Sequence, residues 1–390
     1  MSKDLIILGS TGSIGQSTLL ALKKNNKIKI KLLTTNKNVK KILKQAIFFK
    51  VKDVIVEDVK EYKKYRKIFK EKKINLYLGI HNINRIVKKK VTFCINAITG
   101  LNGLQPTIKA IPLCKNILIA NKESIICAWD LILKKLKIYK TNFIPLDSEH
   151  FSIWKLIKNE PNEDIEKIIL TASGGPFLNK SIRQLPNISP KKALKHPNWK
   201  MGKKITIDSA TMMNKVFEFI EAKKIFNIKK QNLSILVHPS SFIHAIVFFK
   251  GNLIKFLGHE TNMIIPISNA LGINKKKKFS SYNSILYKIN NLRFFKPNQK
   301  KFPLLGLLKL LPNSSSYFET VLITLNDELV NKYLNKEINY VSIQKNIVRL
   351  INNAYFKKYY KLKPNNINDI INVANKTKNY LNKYIIHYVK

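Results

Sequence analysis

The stretch DLIILGSTGSIG, residues 4–15, constrains the fold more than any other part of the chain. An apolar run passes straight into glycines at 9, 12 and 15, and QSTLLALKK continues as a helix. A buried strand, a glycine turn and a helix in that order open a βαβ unit, whose turn lets a pyrophosphate approach backbone N–H groups. The spacing GxxGxxG is a variant met with NADP. A second strand, IKIKLLTTN, runs out at Asn36, Lys37 and Asn38, where an NAD-binding chain places an acid for the ribose. A lysine there suits a 2′-phosphate, although it also fits as one more surface lysine. The segments DVIVED (53–58), VTFCINAITG (91–100) and ILIANKESII (117–126) continue the strands, with a lysine-rich helix between the first two. The last carries Asn121, Lys122 and Glu123 at its carboxyl end. Alternating strands and helices predict an α/β fold with a parallel, doubly wound sheet and ligands at the strand ends.

The middle of the chain concentrates polar chemistry. In FIPLDSEH (143–150), an extended backbone would point Asp147 and Glu149 the same way, and aligned carboxylates need a cation or proton between them. The segment 196–221, HPNWKMGKKITIDSATMMNKVFEFIE, predicts a helix from Ala210 with Asp208 and Ser209 at its start. Met212, Met213, Val216, Phe217 and Ile220 then share one face. Asn214, Glu218 and Glu221 share the other, with Lys215 at its edge. An ordinary solvated face accounts for that pattern, and so does a phosphate-binding face whose Glu218 joins Asp147 and Glu149 around Mg²⁺ or Mn²⁺. IILTASGGPF (168–177) supplies Ser173 and two glycines. The proline-punctuated stretch from there to Gly202 suits a lid, with His196, Trp199 and Met201 either capping a substrate or anchoring a loop.

Composition narrows the classes. At 390 residues the chain exceeds one ordinary core, and 45% hydrophobic residues suffice for globular folding. The 71 basic and 23 acidic residues leave a net charge of +48. The lysines are spread along the chain beside abundant Asn and Ile, as a compositional drift would leave them, so a specific nucleic-acid partner is not expected. No apolar run is long enough to span a bilayer, and none is expected to act as an export signal. Three cysteines in no metal-like spacing fit a reducing compartment, and the expected location is a bacterial cytoplasm. Residues 233–259 are rich in strands and suit an open sheet that self-associates, with His238 and His244 in structural roles. The KKKKF run after Asn274 marks a boundary, and helical periodicity returns from residue 302 without nameable chemistry.

The segments LGSTGSIG, ANKES, LDSEH, SGGPF, HPNWKMGKKITIDSATMMNK and HPSSFIH, in that order, closely resemble the 1-deoxy-D-xylulose 5-phosphate reductoisomerase family. The resemblance implies a homodimer that uses NADPH and a divalent metal (Mg²⁺, Mn²⁺ or Co²⁺) on a phosphorylated sugar. It implies a Rossmann-like NADP-binding domain (1–146) and an α+β catalytic and dimerisation domain (147–274) with a mobile lid at about 174–203. A linker (275–300) and a C-terminal helical domain (301–390) would follow. Cofactor contacts would fall on Thr11, Gly12, Ser13, Ile14, Lys37, Asn38, Asn121, Glu123 and Gly202. Asp147, Glu149 and Glu218 would hold the metal. Substrate contacts would fall on Lys122, Ser148, Ser173, His196, Ser209, Asn214, Lys215 and Glu218, with Lys122, Glu149 and His196 catalytic. The implied reaction rearranges the carbon skeleton by retro-aldol cleavage and re-addition, then reduces the aldehyde to 2-C-methyl-D-erythritol 4-phosphate. The chain departs from the family at Asn36, usually glycine, at Val216 and Phe217, usually a smaller pair, and at Asn262–Ile264, usually an acidic–Met–Arg segment. The metal and phosphate positions are intact.

Overall fold

The computed structural model describes residues 3–23, 25–273 and 281–385, so the KKKKF boundary lies outside the described residues. These divide between two compact units: the described residues of Met1–Ser124, Asp130–Phe151 and Met263–Lys276, and those of Ile125–Trp129, Ser152–Asn262 and Lys277–Lys390.

The first unit is built on β1 (Lys3–Leu8), β2 (Ile28–Thr35), β3 (Asp53–Val56), β4 (Asn75–Leu78), β5 (Val91–Asn96), β6 (Cys114–Ile119) and β7 (Asn142–Pro145). Between and after them run α1 (Ser13–Leu22), α2 (Val39–Phe48), α3 (Val59–Glu71), α4 (Ile83–Ile86), α5 (Leu104–Ala110), α6 (Lys122–Tyr139) and α7 (Ser148–Leu156), of which residues 125–129 and 152–156 count with the second unit. The seven strands pair in parallel in the order β4-β3-β2-β1-β5-β6-β7. Leu5 to Leu8 are wholly buried, as a strand covered on both faces requires. After β4 the chain returns to the other side of β1, so the carboxyl ends of β1 and β5 form the switch point where such sheets bind ligands. Gly9 has φ +80° there, and a Cβ on it would stand 3.0 Å from the Ala97 backbone. The sequence placed residues 117–126 on one strand; the strand ends at Ile119, and Lys122 already opens α6.

In the second unit, β8 (Ile165–Ala172) leads through a largely irregular stretch containing α8 (Pro190–Ala193) to α9 (Lys203–Ala210) and α10 (Met213–Ile225). Strands β9 (Leu233–Val237), β10 (Ile243–Phe249) and β11 (Leu253–Gly258) complete a sheet ordered β11-β10-β8-β9. Next, α11 (Ile264–Ala270) packs on α1 within the first unit. The second unit closes with α12 (Tyr282–Asn290), α13 (Phe318–Leu334), α14 (Tyr340–Ile351), α15 (Ala354–Lys357) and α16 (Ile367–Tyr384), and α13 packs on α9, α14 and α16.

One expectation for the central stretch needs correction, and one of its two readings of the polar face falls. Asp208 and Ser209 do not start a helix; they lie in the last turn of α9, and a separate helix begins at Met213. The break has a local cause. The Thr211 hydroxyl donates back to the carbonyls of Ile207 (3.2 Å) and Asp208 (3.3 Å), and Met212 adopts φ +63°. Nor is the polar face of the second helix solvated: α10 packs on β8 and β9, and Lys215, Glu218 and Glu221 are buried.

Candidate active site

In the first unit the glycine turn delivers the chain to the start of α1. Gly12 caps that helix without a side chain, so no side chain satisfies the N–H groups of its first turn. Gly15 packs so tightly that a Cβ would collide with the backbone of Gly9 and Ser10. Thr11 meets Thr35 at the end of β2 (Oγ1 to Oγ1, 2.7 Å), beside Lys37 and Asn38. Lys37 is exposed, 3.9 Å from Asp58. Asn121 caps α6 by accepting from Ser124 N–H (2.7 Å) and donates to the carbonyls of Ile98 (2.5 Å) and Gly100 (2.9 Å) and to Glu123 (3.2 Å). It thus ties the β5 turn to the beginning of α6.

Asp147 and Glu149 come together, though not through the extended backbone that their spacing suggested. Residues 148–156 form α7, and Asp147 sits at its head, accepting from the Glu149 N–H at 3.1 Å. A helix start favours acids for this reason: its N–H groups have no partners within the helix. Lys122 donates to Asp147 (2.5 Å), Ser148 to Glu149, and His150 Nδ1 lies 3.4 Å from Asp147. His150 was not singled out in the sequence. Its spacing of three residues from Asp147, one helical turn, was the available signal.

The second unit gathers Ser173, His196 and Ser209. The His196 Nε2 lies 3.1 Å from each serine hydroxyl, and its Nδ1 accepts from the N–H groups of Asn198 (3.1 Å) and Trp199 (3.0 Å). Two donors at Nδ1 put the ring proton on Nε2, facing the serines. Burial and, after it, the Lys215 ammonium push the His196 pKa down to about 4, so the ring is a neutral donor near neutral pH. Asn214 and Lys215 both donate to Glu218, which is 1% exposed. A Cβ on Gly175, at φ +68°, would stand 2.7 Å from the Ser209 carbonyl, so only glycine permits this approach of loop to helix end. Asn198 anchors the same loop by donating to Pro239 O (2.6 Å) and Ser241 Oγ (3.1 Å). Gly202 caps α9. His238 and His244 are structural: His238 is held by Ser240 and the Arg293 carbonyl, and His244 stacks on His259 at 3.9 Å.

Three family models match the chain: "1-deoxy-D-xylulose 5-phosphate reductoisomerase" over residues 5–129, its C-terminal domain over 143–226, and "DXP reductoisomerase C-terminal domain" over 258–380. A 1-deoxy-D-xylulose 5-phosphate reductoisomerase of Pelagibacter ubique (strain HTCC1062) is 49% identical over 374 residues, covering 95% of this chain and 96% of its own. This chain belongs to the 1-deoxy-D-xylulose 5-phosphate reductoisomerase family. Crystal structures agree. A DOX-P reductoisomerase in complex with NADPH, fosmidomycin and magnesium superposes with TM-score 0.89 at 31% identity, covering 98% of each chain. The Zymomonas mobilis reductoisomerase in complex with NADPH gives 0.86 at 29% identity over 97% of each chain. The resemblance carried by the motifs is therefore family membership, and the Rossmann-like first unit, second small sheet and helical C-terminal region are those of the reductoisomerase fold.

Proposed function

We propose that the protein isomerises 1-deoxy-D-xylulose 5-phosphate and reduces it with NADPH to 2-C-methyl-D-erythritol 4-phosphate, in isoprenoid precursor synthesis. The observation that carries the reading is the grouping of Ser173, His196 and Ser209 at one nitrogen, with Asn214 and Lys215 on the helix that begins just past the break after Ser209, in a member of the reductoisomerase family. Two serine hydroxyls, a neutral imidazole N–H, an amide and an ammonium form a donor set for a phosphate. With the phosphate fixed there, the rest of the sugar is held in place for reaction.

The first unit fits a dinucleotide. The glycine turn leads into the start of α1, which no side chain caps and which suits a pyrophosphate, and Lys37 follows the neighbouring strand with its ammonium exposed. Thr11, Gly12, Ser13, Ile14, Lys37, Asn38, Asn121, Glu123 and Gly202 would hold NADPH, which supplies the hydride. The donor chemistry of Asp147, Glu149 and Glu218, three largely buried carboxylates, fits a hard divalent cation. Such a cation would supply Lewis-acid stabilisation of charge developing on the substrate oxygens. Lys122 orients Asp147, Ser148 orients Glu149, and Asn214 and Lys215 orient Glu218.

The division of labour follows: residues 1–146 bind the dinucleotide, 147–274 the substrate, and 301–390 support them through a linker at 275–300. The stretch at about 174–203 works as a lid, with glycines near both ends to absorb the movement. The protein acts as a homodimer in a bacterial cytoplasm. Support for self-association comes from edge strand β11, where Leu253, Ile254 and Phe256 are about half exposed. None of the described helices is long and apolar enough to cross a membrane. Nuclear magnetic resonance of the product from the sugar phosphate, NADPH and Mg²⁺ tests the reaction. The branched polyol phosphate is expected, and a straight-chain reduction product would contradict the isomerisation.

A further inference from the structure

The residues flanking Ser209 are both held from the C-terminal helices. Asn326 on α13 donates to Asp208 Oδ1 at 2.8 Å, and Tyr340 at the start of α14 donates to the Ala210 carbonyl at 2.6 Å. Asp208 is 1% exposed, and a buried carboxylate persists only with partners; Lys204, 3.2 Å from its other oxygen, supplies the charge and itself reaches Asp327 on α13 at 2.9 Å. Ala210 ends α9, so its carbonyl lacks a partner within the helix, and the Tyr340 hydroxyl fills that place. Burial pushes the Tyr340 phenol far above its ordinary range, which keeps it a donor. Tyr333 extends the hold by donating to the Ile188 carbonyl at 2.9 Å.

The turn is therefore gripped from two directions: Gly175 presses on the Ser209 carbonyl, while Asn326 and Tyr340 fix the residues on either side of Ser209. Because Met212 launches α10 directly from this turn, any shift of it moves Ser209, Asn214 and Lys215 together. We infer that Asn326 and Tyr340 are positioning residues that set the phosphate-binding turn around Ser209. The inference rests on the reading of Ser209 as a phosphate ligand. It gives the helical tail, which shows no chemistry of its own in the sequence, a part in substrate recognition.

Tyr340→Phe removes the donor and keeps the ring, whose edge contacts with Phe177 and Tyr333 remain. Asn326→Leu removes the amide and keeps the branched arrangement of heavy atoms. Both are compared in the full-length enzyme with Ser209→Ala, using 1-deoxy-D-xylulose 5-phosphate and its unphosphorylated form. We expect KM for the phosphorylated substrate to rise about tenfold in all three. In Tyr340→Phe and Asn326→Leu, NADPH affinity, kcat and whatever turnover the unphosphorylated sugar supports should hold. An unchanged KM in Tyr340→Phe and Asn326→Leu, beside a raised one in Ser209→Ala, overturns the inference and spares the reading of Ser209. Equal losses on both sugars overturn it too, because they report general loosening of the fold. An unchanged KM in Ser209→Ala removes the reading itself, and the inference with it. Should Tyr340→Phe fail to fold by circular dichroism, the Asn326→Leu result decides alone.

Discussion

The two units bring polar groups out of water by different means. In the first, they sit at strand ends and helix starts within short continuous stretches, Asn121–Glu123 and Asp147–His150, and the parallel sheet delivers them to one edge. In the second, His196 reaches serines 23 and 13 residues away, through an irregular stretch and a break between two helices. A strand-end site inherits its geometry from the sheet ladder. A site at a helix break depends on whatever packs against the break. Sensitivity to distant substitutions should therefore differ between the two.

The largest expected effect separates them outright. Glu218→Gln should lower kcat about 10³-fold, because one carboxylate of the proposed cation site is gone. NADPH affinity, measured by fluorescence titration, should stay as it was; a matching loss there would break the distinction. A pair of glycine substitutions sharpens it. Gly175→Ala forces a side chain at φ +68° against Ser209 and should cost about 2 kcal/mol of stability while raising KM for the sugar phosphate. Gly15→Ala should instead weaken NADPH binding and leave sugar-phosphate KM unmoved. Crossed effects, each glycine disturbing the other ligand, would mean that the units do not work separately.

Smaller effects test single groups. Lys37→Ala should reduce the preference for NADPH over NADH about tenfold, in a ratio of kcat/KM values. An unchanged ratio would make Lys37 one more surface lysine. His196 should titrate with a midpoint near 4 when its ring proton is followed by NMR. In the fold it binds its proton less tightly than in the unfolded chain, whose histidines titrate near 6.5. Between those values the unfolded state holds more protons, so stability falls as pH drops from about 6.5 to about 4. His196→Gln should flatten that part of the stability profile, and an unaltered slope would assign it to other groups.

Much of this was legible in the sequence, for physical reasons. The glycine turn after a buried strand has few other uses, and Gly9, Gly12 and Gly15 fall as the turn demands. The pairing of Asp147 with Glu149 was foreseen on the wrong geometry: alternation predicted an extended strand, whereas Asp147 heads a helix. The break at Met212 was not visible, because Thr211 and Met212 carry no common breaker and the apolar spacing runs on through them. The burial of Glu218 and Glu221 escaped for a related reason. Periodicity marks a polar face but cannot say whether that face meets water or a protein-lined site. The partners of Asp208 were beyond reach altogether, since Asn326 lies 118 residues away.

The most direct test of the central claim is NADPH oxidation by the purified protein with 1-deoxy-D-xylulose 5-phosphate, in Mg²⁺ and again after chelation. Turnover should require the metal, run far faster with NADPH than with NADH, and fall about 10³-fold in Glu218→Gln. Metal-independent oxidation, or a folded protein that binds NADPH and turns over nothing, would contradict it.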